Sequence, residues 1–302
     1  MWGRVGMVNL ISMLVLMTKV ISSYNPGFGA NGLSMNYYLM SCPFADNIVK
    51  DTVNKALQSD PTLAAALLRM HFHDCFIEGC DASILLDSTK NNTAEKDSPA
   101  NLSLRGYDIM DDAKQQLETQ CPGVVSCADI VALAARDAVF WSGGPYYDIP
   151  KGRKDGRRSK IEDTINLPSP TFNGSELIRC PRGGCSLSNF DSTHDVDPAL
   201  DSNFAKILSK TCSTGDTAEQ PLDATRNTFD NAYYNALLQK AGVLTSDQTL
   251  YTTSKTRSIV NGYAMNQAMF FYDFQQAMLK MSLLDVKDGS NGEVRDNCRK
   301  IN

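Results

Sequence analysis

An arginine and a histidine four residues apart are the side chains in this sequence whose types and spacing could do chemistry. Arg69 and His73 end an apolar run of strong helix formers, with Asp60 predicted as its N-cap and Pro61 at its first helical position. At this spacing the two side chains share one helical face, beside Phe72. A neutral histidine can take a proton from a bound substrate, and a charged arginine can stabilise the negative charge that develops.

The same stretch allows two other interpretations. The first is an ordinary helix end that carries a hydrogen-bonded histidine and a surface arginine. The second is a zinc site, since His71, His73, Cys75 and Cys80 are zinc ligand types. In a secreted chain, two cysteines at this spacing more often form a short disulfide.

Four further helices are predicted to position these residues. Apolar residues at helical spacing follow Cys42-Pro43 and continue to the break at Asp60-Pro61. A second helix is predicted from about Asp108 to Thr119. The most hydrophobic helix follows Ser126 as its N-cap and ends at a Gly-Gly-Pro turn, which indicates a central position. A last helix, rich in Met, Phe and Ala, is predicted over Ala264 to Leu283.

The N-terminal residues predict export. Val8 to Val20 is mostly apolar, an arginine precedes it, and Ser22-Ser23 supplies small residues for cleavage. We expect a signal peptide at residues 1–23, with Ala30 as an alternative late boundary. Lys19 interrupts the apolar run, which is therefore too short to span a membrane.

Composition narrows the function classes. The chain has 302 residues, 42% of them hydrophobic, which is enough for a substantial core. A net charge of −5 argues against nucleic-acid binding, and the one basic cluster, Lys151 to Arg158, is predicted to be a solvated loop. Nine cysteines in an exported chain predict a disulfide framework. Tripeptides that begin at Asn91, Asn101 and Asn173 are glycosylation acceptors if exposed.

The longer string around the pair resembles a known family. Arg-x-x-x-His-Asp-Cys-Phe, followed by Gly-Cys-Asp-Ala-Ser, is similar to the distal haem motif of the secretory plant (class III) peroxidases. The resemblance runs from about Leu33 to Asn302, except roughly Glu176 to Phe190. It implies a mainly all-α, haem-peroxidase-like helical fold in one domain at 31–302. That domain is expected to be disrupted at about 176–190, where the region of the proximal helix is truncated.

The resemblance implies a function and distal-side roles. The expected reaction is haem-dependent reduction of hydrogen peroxide coupled to oxidation of small phenolic donors, in the cell wall and under oxidative stress. The expected protein is an extracellular monomer of the cell wall or apoplast, with the vacuole as the alternative. His73 would be the acid–base group, Arg69 would stabilise O–O cleavage, Phe72 would line the pocket, and Asn101 would hold the imidazole tautomer. Pro168 would contact donors at the edge of haem b.

The resemblance also implies two calcium sites built from oxygen ligands. The first would use Asp74, Ile77, Gly79, Asp81, Ser83 and Glu95. The second would use Asp223, Thr225, Thr228 and Asp230. Without the resemblance, simple solvation would be the better explanation for acids in a loop.

Four disulfides follow from the same resemblance, and two of them close long loops. They are Cys42–Cys121, Cys75–Cys80, Cys127–Cys298 and Cys185–Cys212. Cys180 is then left without an assigned partner.

The family pattern fails after Pro170. In the family the proximal haem ligand is a histidine that follows a Gly-Gly or Gly-Ala pair, and none follows Gly183-Gly184 here. The chain has three histidines, and the third, His194, lies far from the iron in the family pattern. Asp247 matches the residue that orients the proximal imidazole, so we expect it to be solvated, protonated or in another contact. We therefore expect weak haem binding or none. The alternative function is a catalytically inactive, calcium-binding peroxidase relative or an aberrant product.

Overall fold

Helices make up nearly all the regular structure. The computed structural model describes residues 32–167, 197–213 and 220–302. Within these ranges the α-helices are α1 Ala45–Ser59, α2 Leu63–Ile77, α3 Tyr107–Gln120, α4 Cys127–Trp141, α5 Ser202–Cys212, α6 Ala232–Leu238, α7 Thr245–Thr252, α8 Ser254–Met265 and α9 Gln267–Met281. Short 3-10 turns cover Ser83–Leu85, Glu95–Asp97, Ile161–Asn166 and Gly289–Asn291. Extended pairing in the same ranges consists of isolated antiparallel bridges such as Lys154–Lys287.

The centre of the core is α4, as its composition predicts. The Ser126 hydroxyl accepts a hydrogen bond from the Asp129 amide and caps the helix. Every residue from Cys127 to Val139 is buried, because α1, α2 and α3 all pack against this helix. Burial on all sides agrees with the high apolar content of the helix, and its buried charged residues Asp129, Arg136 and Asp137 are ion-paired. The helix α2, which carries Arg69 and His73, therefore rests on a rigid support.

Two helix boundaries differ from the prediction. The helix α2 begins at Leu63, because the Asp60 carboxylate accepts a hydrogen bond from the Thr62 amide at 2.9 Å and forms a turn before the helix. The predicted helix over Ala264 to Leu283 is interrupted at Asn266, which is extended and accepts a hydrogen bond from the Met269 amide. Asparagine is a strong N-cap, so it ends α8 and starts α9.

The prediction of a solvated loop at Lys151 to Arg158 was wrong. Arg153 is only 1% exposed, and its guanidinium contacts the Asp129 carboxylate at 2.7 Å. Lys151 is also buried and contacts the carboxylate of Asp46 at 3.2 Å. The half-buried Asp46 on α1 and the buried Asp129 on α4 attract these cations, because a buried charge is tolerated when it is paired. The outer residues Arg157 and Arg158 remain exposed.

Three of the four expected disulfides are confirmed: Cys42–Cys121, Cys75–Cys80 and Cys127–Cys298. The fourth expected pair, Cys185–Cys212, falls outside what the structure describes. The predicted signal peptide and residues 176–190 also lie outside the described ranges. Among the helices of residues 32–167, 197–213 and 220–302, none is long and apolar enough to cross a membrane.

Candidate active site

The predicted Arg–His pair forms in the middle of α2. The Arg69 Nε donates a hydrogen bond to the His73 Nε2 at 3.1 Å, as residues four apart on a helix can. The side chains are buried, with 6% and 7% of their residues' surface exposed. The interpretation of a helix end with a surface arginine is therefore not supported.

Asn101 holds the imidazole from the other side. Its amide oxygen lies 2.6 Å from the His73 Nδ1, and its amide nitrogen donates to the backbone oxygen of Glu95 at 2.7 Å. An oxygen can only accept, so Nδ1 carries the imidazole proton and Nε2 keeps its lone pair. The Asn101 side chain of this glycosylation tripeptide is consequently buried and hydrogen-bonded through both its oxygen and its nitrogen, whereas Asn91 is exposed.

Two partners of Arg69 were not anticipated from the sequence. Its terminal nitrogens donate to the Ser103 hydroxyl and to the Ala100 backbone oxygen, each at 2.9 Å. All three guanidinium nitrogens are thus hydrogen-bonded, which fixes the plane of the guanidinium. The sequence signal that could have indicated this contact is the Ser103 hydroxyl, which lies in the same short turn as Asn101.

Burial determines the protonation states of the pair. It lowers the pKa of His73 to about 3, and the nearby Arg69 charge lowers it further. Burial also lowers the pKa of Arg69 to about 10, which leaves the guanidinium charged. The site therefore presents a neutral base beside a permanent cation at neutral pH, the arrangement needed to accept a proton and stabilise an anion.

An aromatic side chain lies beside the pair. Phe72 is buried, with its ring centroid 4.4 Å from that of Phe76 and 5.7 Å from that of His73. It excludes water on this side, consistent with a pocket wall. Pro168, the expected donor contact, lies outside the described residues.

His71 is separate from this network. Its Nδ1 lies 3.5 Å from the Cys75 Sγ, and burial lowers its pKa to about 3. His71, Cys75 and Cys80 lie close enough to ligate one ion. However, the Cys75–Cys80 disulfide removes the thiolates that zinc would need.

The first expected calcium loop gathers three buried carboxylates. The Asp74 carboxylate accepts the Ala82 amide at 3.0 Å, and the Ser83 hydroxyl donates to Glu95 at 3.2 Å. The second oxygen of Glu95 is buried without a partner in the described part of the chain. Burial and mutual repulsion raise the pKa of Glu95 to about 9, and burial raises that of Asp81 to about 6. Facing carboxylates with an unpaired oxygen fit a hard divalent cation.

Backbone oxygens complete the same loop. The Ile77 oxygen ends α2 and contacts the Asn166 amide at 3.4 Å, and the Gly79 oxygen accepts the Asp81 amide at 2.9 Å. Gly79 has a φ of 100°, and a Cβ there would lie 2.5 Å from the backbone oxygen of Asp285. Only glycine fits this turn, because its φ is positive and the Asp285 backbone packs directly against it.

The second expected calcium set also comes together. The Thr225 hydroxyl contacts the carboxylates of Asp223 at 3.2 Å and Asp230 at 3.0 Å, and the Thr228 amide donates to the Thr225 oxygen at 2.7 Å. Burial and the neighbouring Asp230 charge raise the pKa of Asp223. The ligand types suit calcium.

Asp247, expected to be solvated, protonated or in another contact, is hydrogen-bonded to residues other than histidine. It is fully buried, and it accepts hydrogen bonds from the Tyr233 hydroxyl and the Leu244 amide, both at 2.8 Å. Burial raises its pKa to about 6. The histidines of the described ranges, His71 and His73, have other partners. The Arg69–His73 side thus fits a haem, whereas the described residues on the Asp247 side supply no axial histidine.

Comparisons with known proteins agree with this geometry. The family model described as "Peroxidase" matches residues 49–181 and 180–266. Peroxidase 47 of Arabidopsis thaliana is 66% identical over 313 aligned positions, which cover 97% of this chain and 95% of the relative. Peroxidase 66 of Arabidopsis thaliana is 45% identical, and Peroxidase 5 of Vitis vinifera is 44% identical. Each alignment covers 89% of this chain and 92% of the relative.

Both kinds of comparison cover most of the chain, including the Arg69–His73 pair and both carboxylate clusters. The helical architecture and three disulfides agree with them. The chain therefore belongs to the class III plant peroxidases, a family of oxidoreductases.

Proposed function

We propose that this chain is a secreted peroxidase that reduces hydrogen peroxide and oxidises small phenolic donors. The hydrogen-bonded series Arg69–His73–Asn101 is the observation that carries the proposal. Haem b, when bound, supplies the redox chemistry. The proposed setting is the cell wall or apoplast, where phenolic oxidation and oxidative stress occur, and the proposed state is a monomer.

The chain's own residues handle the proton. The His73 Nε2 takes a proton from peroxide, and the Arg69 guanidinium stabilises the oxygen that becomes negative. His73 then returns the proton to the oxygen that leaves. Asn101 keeps Nδ1 protonated throughout. The His73 Nε2 is therefore the nitrogen that both accepts the proton and returns it.

Other residues support this chemistry. Phe72 would keep the pocket apolar, and Pro168 would contact the donor. The two carboxylate clusters would each hold a calcium ion. The first is linked to the active site, because the backbone oxygen of Glu95 accepts a hydrogen bond from the Asn101 side-chain amide. Asn91 is the exposed candidate for a glycan.

A second candidate function is a catalytically inactive, calcium-binding peroxidase relative. No histidine follows Gly183-Gly184, and Tyr233 takes the place of an imidazole partner at Asp247. The alignment with Peroxidase 47 is longer than the 302 residues of this chain, so that relative has residues that this chain lacks. The two segments matched to the family model meet at residues 180 and 181.

The absorbance spectrum of the purified protein after haem loading tests both candidates. We expect a weak Soret band, with peroxide turnover in proportion to the haem bound, and loss of that turnover in His73→Leu. A strong band that responds to peroxide would contradict weak binding and place an axial ligand outside the described residues. A flat spectrum on a folded, calcium-containing protein would support the inactive relative.

A further inference from the structure

A lysine from the C-terminal part of the chain reaches the first calcium loop. The Lys287 ammonium lies 3.7 Å from the Asp81 carboxylate and donates a hydrogen bond to the Glu78 backbone oxygen at 3.0 Å. It is separated from Glu78 by 209 residues. Its backbone is held in place because its oxygen accepts the Lys154 amide at 3.0 Å. The backbone therefore anchors this lysine beside the loop, and its side chain reaches the Asp81 carboxylate.

The buried part of the loop holds three acidic side chains, Asp74, Asp81 and Glu95. They lie close together, because Asp74 accepts the Ala82 amide, Asp81 accepts the Ser83 amide and Glu95 accepts the Ser83 hydroxyl. Arg295 is the other cation nearby, and it donates to the backbone oxygens of Asp81 and Ala82. Among the described residues, Lys287 and Arg295 are thus the cations that stabilise an ionised Asp81 when no metal ion is bound.

The two cations differ in how firmly they are held. Arg295 is fully buried and is also hydrogen-bonded to the Cys298 oxygen at 2.6 Å, so it cannot leave. The side chain of Lys287 is 28% exposed and lines an open cavity of about 620 Å³ beside Ile77 and Glu78. Lysine carries its charge on a flexible stem, and this one has solvent beside it. Lys287 can therefore move away from Asp81 while Arg295 stays.

We propose that Lys287 is an internal counter-ion of the first calcium site, which holds Asp81 in the calcium-free protein and weakens the affinity for calcium. This inference rests on the calcium site of the proposed function. A positive charge near the bound ion repels it, and the same charge stabilises unneutralised carboxylates. Lys287 thereby reduces the difference in stability between the calcium-free and calcium-bound proteins.

Calcium titration by calorimetry tests the proposal. All variants are made in an Asp230→Ala background, so that only the first site contributes, and calcium is first removed with EDTA. Lys287→Gln keeps a donor for the Glu78 oxygen and loses the charge, and Lys287→Met loses both. We expect each to bind calcium about tenfold more tightly. Lys287→Arg is expected to stay within about threefold of the background, since it keeps the charge.

Thermal unfolding gives a second readout that needs neither haem nor turnover. In EDTA, Lys287→Gln is expected to melt about 2–4 °C below the background, and excess calcium is expected to remove the deficit. The control Lys55→Met removes an exposed lysine on α1 and should change neither readout.

The outcomes separate the two claims. If Lys287→Gln binds calcium no more tightly than Lys287→Arg, the counter-ion role is wrong and the calcium site stands. If none of the variants binds calcium, the proposed first site is wrong and the counter-ion role is wrong with it.

Discussion

At the scale of single residues, the chemistry depends on which atoms hold protons. His73 is neutral because it is buried beside Arg69, and Asn101 decides which of its nitrogens is protonated. His71 is equally buried, yet its neighbour is a disulfide sulfur. Two histidines on the same helix thus have the same protonation state and different contacts.

We expect neither described histidine to titrate between pH 5 and 8. Their pKa values of about 3 lie below the unfolded value of 6.5. The unfolded chain therefore binds more protons below pH 6.5, and each histidine removes up to about 1.4 kcal/mol of stability per pH unit as the pH falls towards 3. Histidine NMR spectra across this range should show at most one titrating imidazole, that of His194. The urea-unfolded chain is the control, in which all three should titrate.

Replacement of Tyr233 by phenylalanine tests the contact with Asp247. The carboxylate would lose a donor in a buried site, so we expect a loss of about 1–3 kcal/mol in the free energy of unfolding. Tyr147→Phe is the matched control, because its buried hydroxyl has no partner within the described ranges and should cost less than about 0.5 kcal/mol. Urea unfolding at pH 7 measures both. Equal losses would show that the hydrogen bond to Asp247 is not the cause.

At the scale of elements, the active-site residues of α2 are positioned by neighbouring elements. The helix α2 packs against α4, and the turn at Ala100 to Ser103 accepts two hydrogen bonds from Arg69. The loop after α2 is tied to its own helix by the Cys75–Cys80 disulfide. A second bridge, Cys127–Cys298, joins the start of α4 to the C-terminal residues.

These two disulfides should differ in their contribution to stability. Cys127 and Cys298 are 171 residues apart, whereas Cys75 and Cys80 are 5 residues apart. In the chain-entropy model the first bridge contributes about 5 kcal/mol to the free energy of unfolding and the second about 2 kcal/mol. We therefore expect Cys127→Ala/Cys298→Ala to lower the free energy of unfolding more than Cys75→Ala/Cys80→Ala. Guanidinium unfolding of the two double variants compares them. A larger loss from the short bridge would point to a role in the calcium loop beyond chain entropy.

At the scale of the whole molecule, the segment from Lys151 to Gly156 joins the central helix to the C-terminal part. Arg153 contacts Asp129 on α4 and donates to the backbone oxygen of Ser282, just after α9, at 2.6 Å. Asp155 accepts the amides of Ala128 and Arg295. These buried charges are paired across distant parts of the chain. Removal of one of them should therefore lower the free energy of unfolding of the whole protein.

Arg153→Met should strongly destabilise the whole protein. It would leave Asp129 buried without its cation, and breaking such a pair costs about 3–5 kcal/mol. Arg158→Met is the control, since the exposed pair of Arg158 with Asp163 is screened by water and should contribute little to stability. Thermal and urea unfolding would measure both losses. Similar small effects would mean that Asp129 is satisfied by its other donors, Tyr38 and Gly152.

The sequence by itself determined the features that arise within one helix or turn. Arg69 and His73 share a face because an α-helix repeats every 3.6 residues, and Ser126 caps α4 because its hydroxyl reaches an amide three residues on. Sequence similarity to the family further anticipated three disulfides and placed Asn101 near His73.

Tertiary structure alone decided the contacts between distant segments. The burial of Arg153, the bond from Tyr233 to Asp247 and the approach of Lys287 to Asp81 have no local sequence signal. The physical reason is that a charged side chain is stable either in water or beside a buried partner. Only the packing of the helices determines which of these environments it meets.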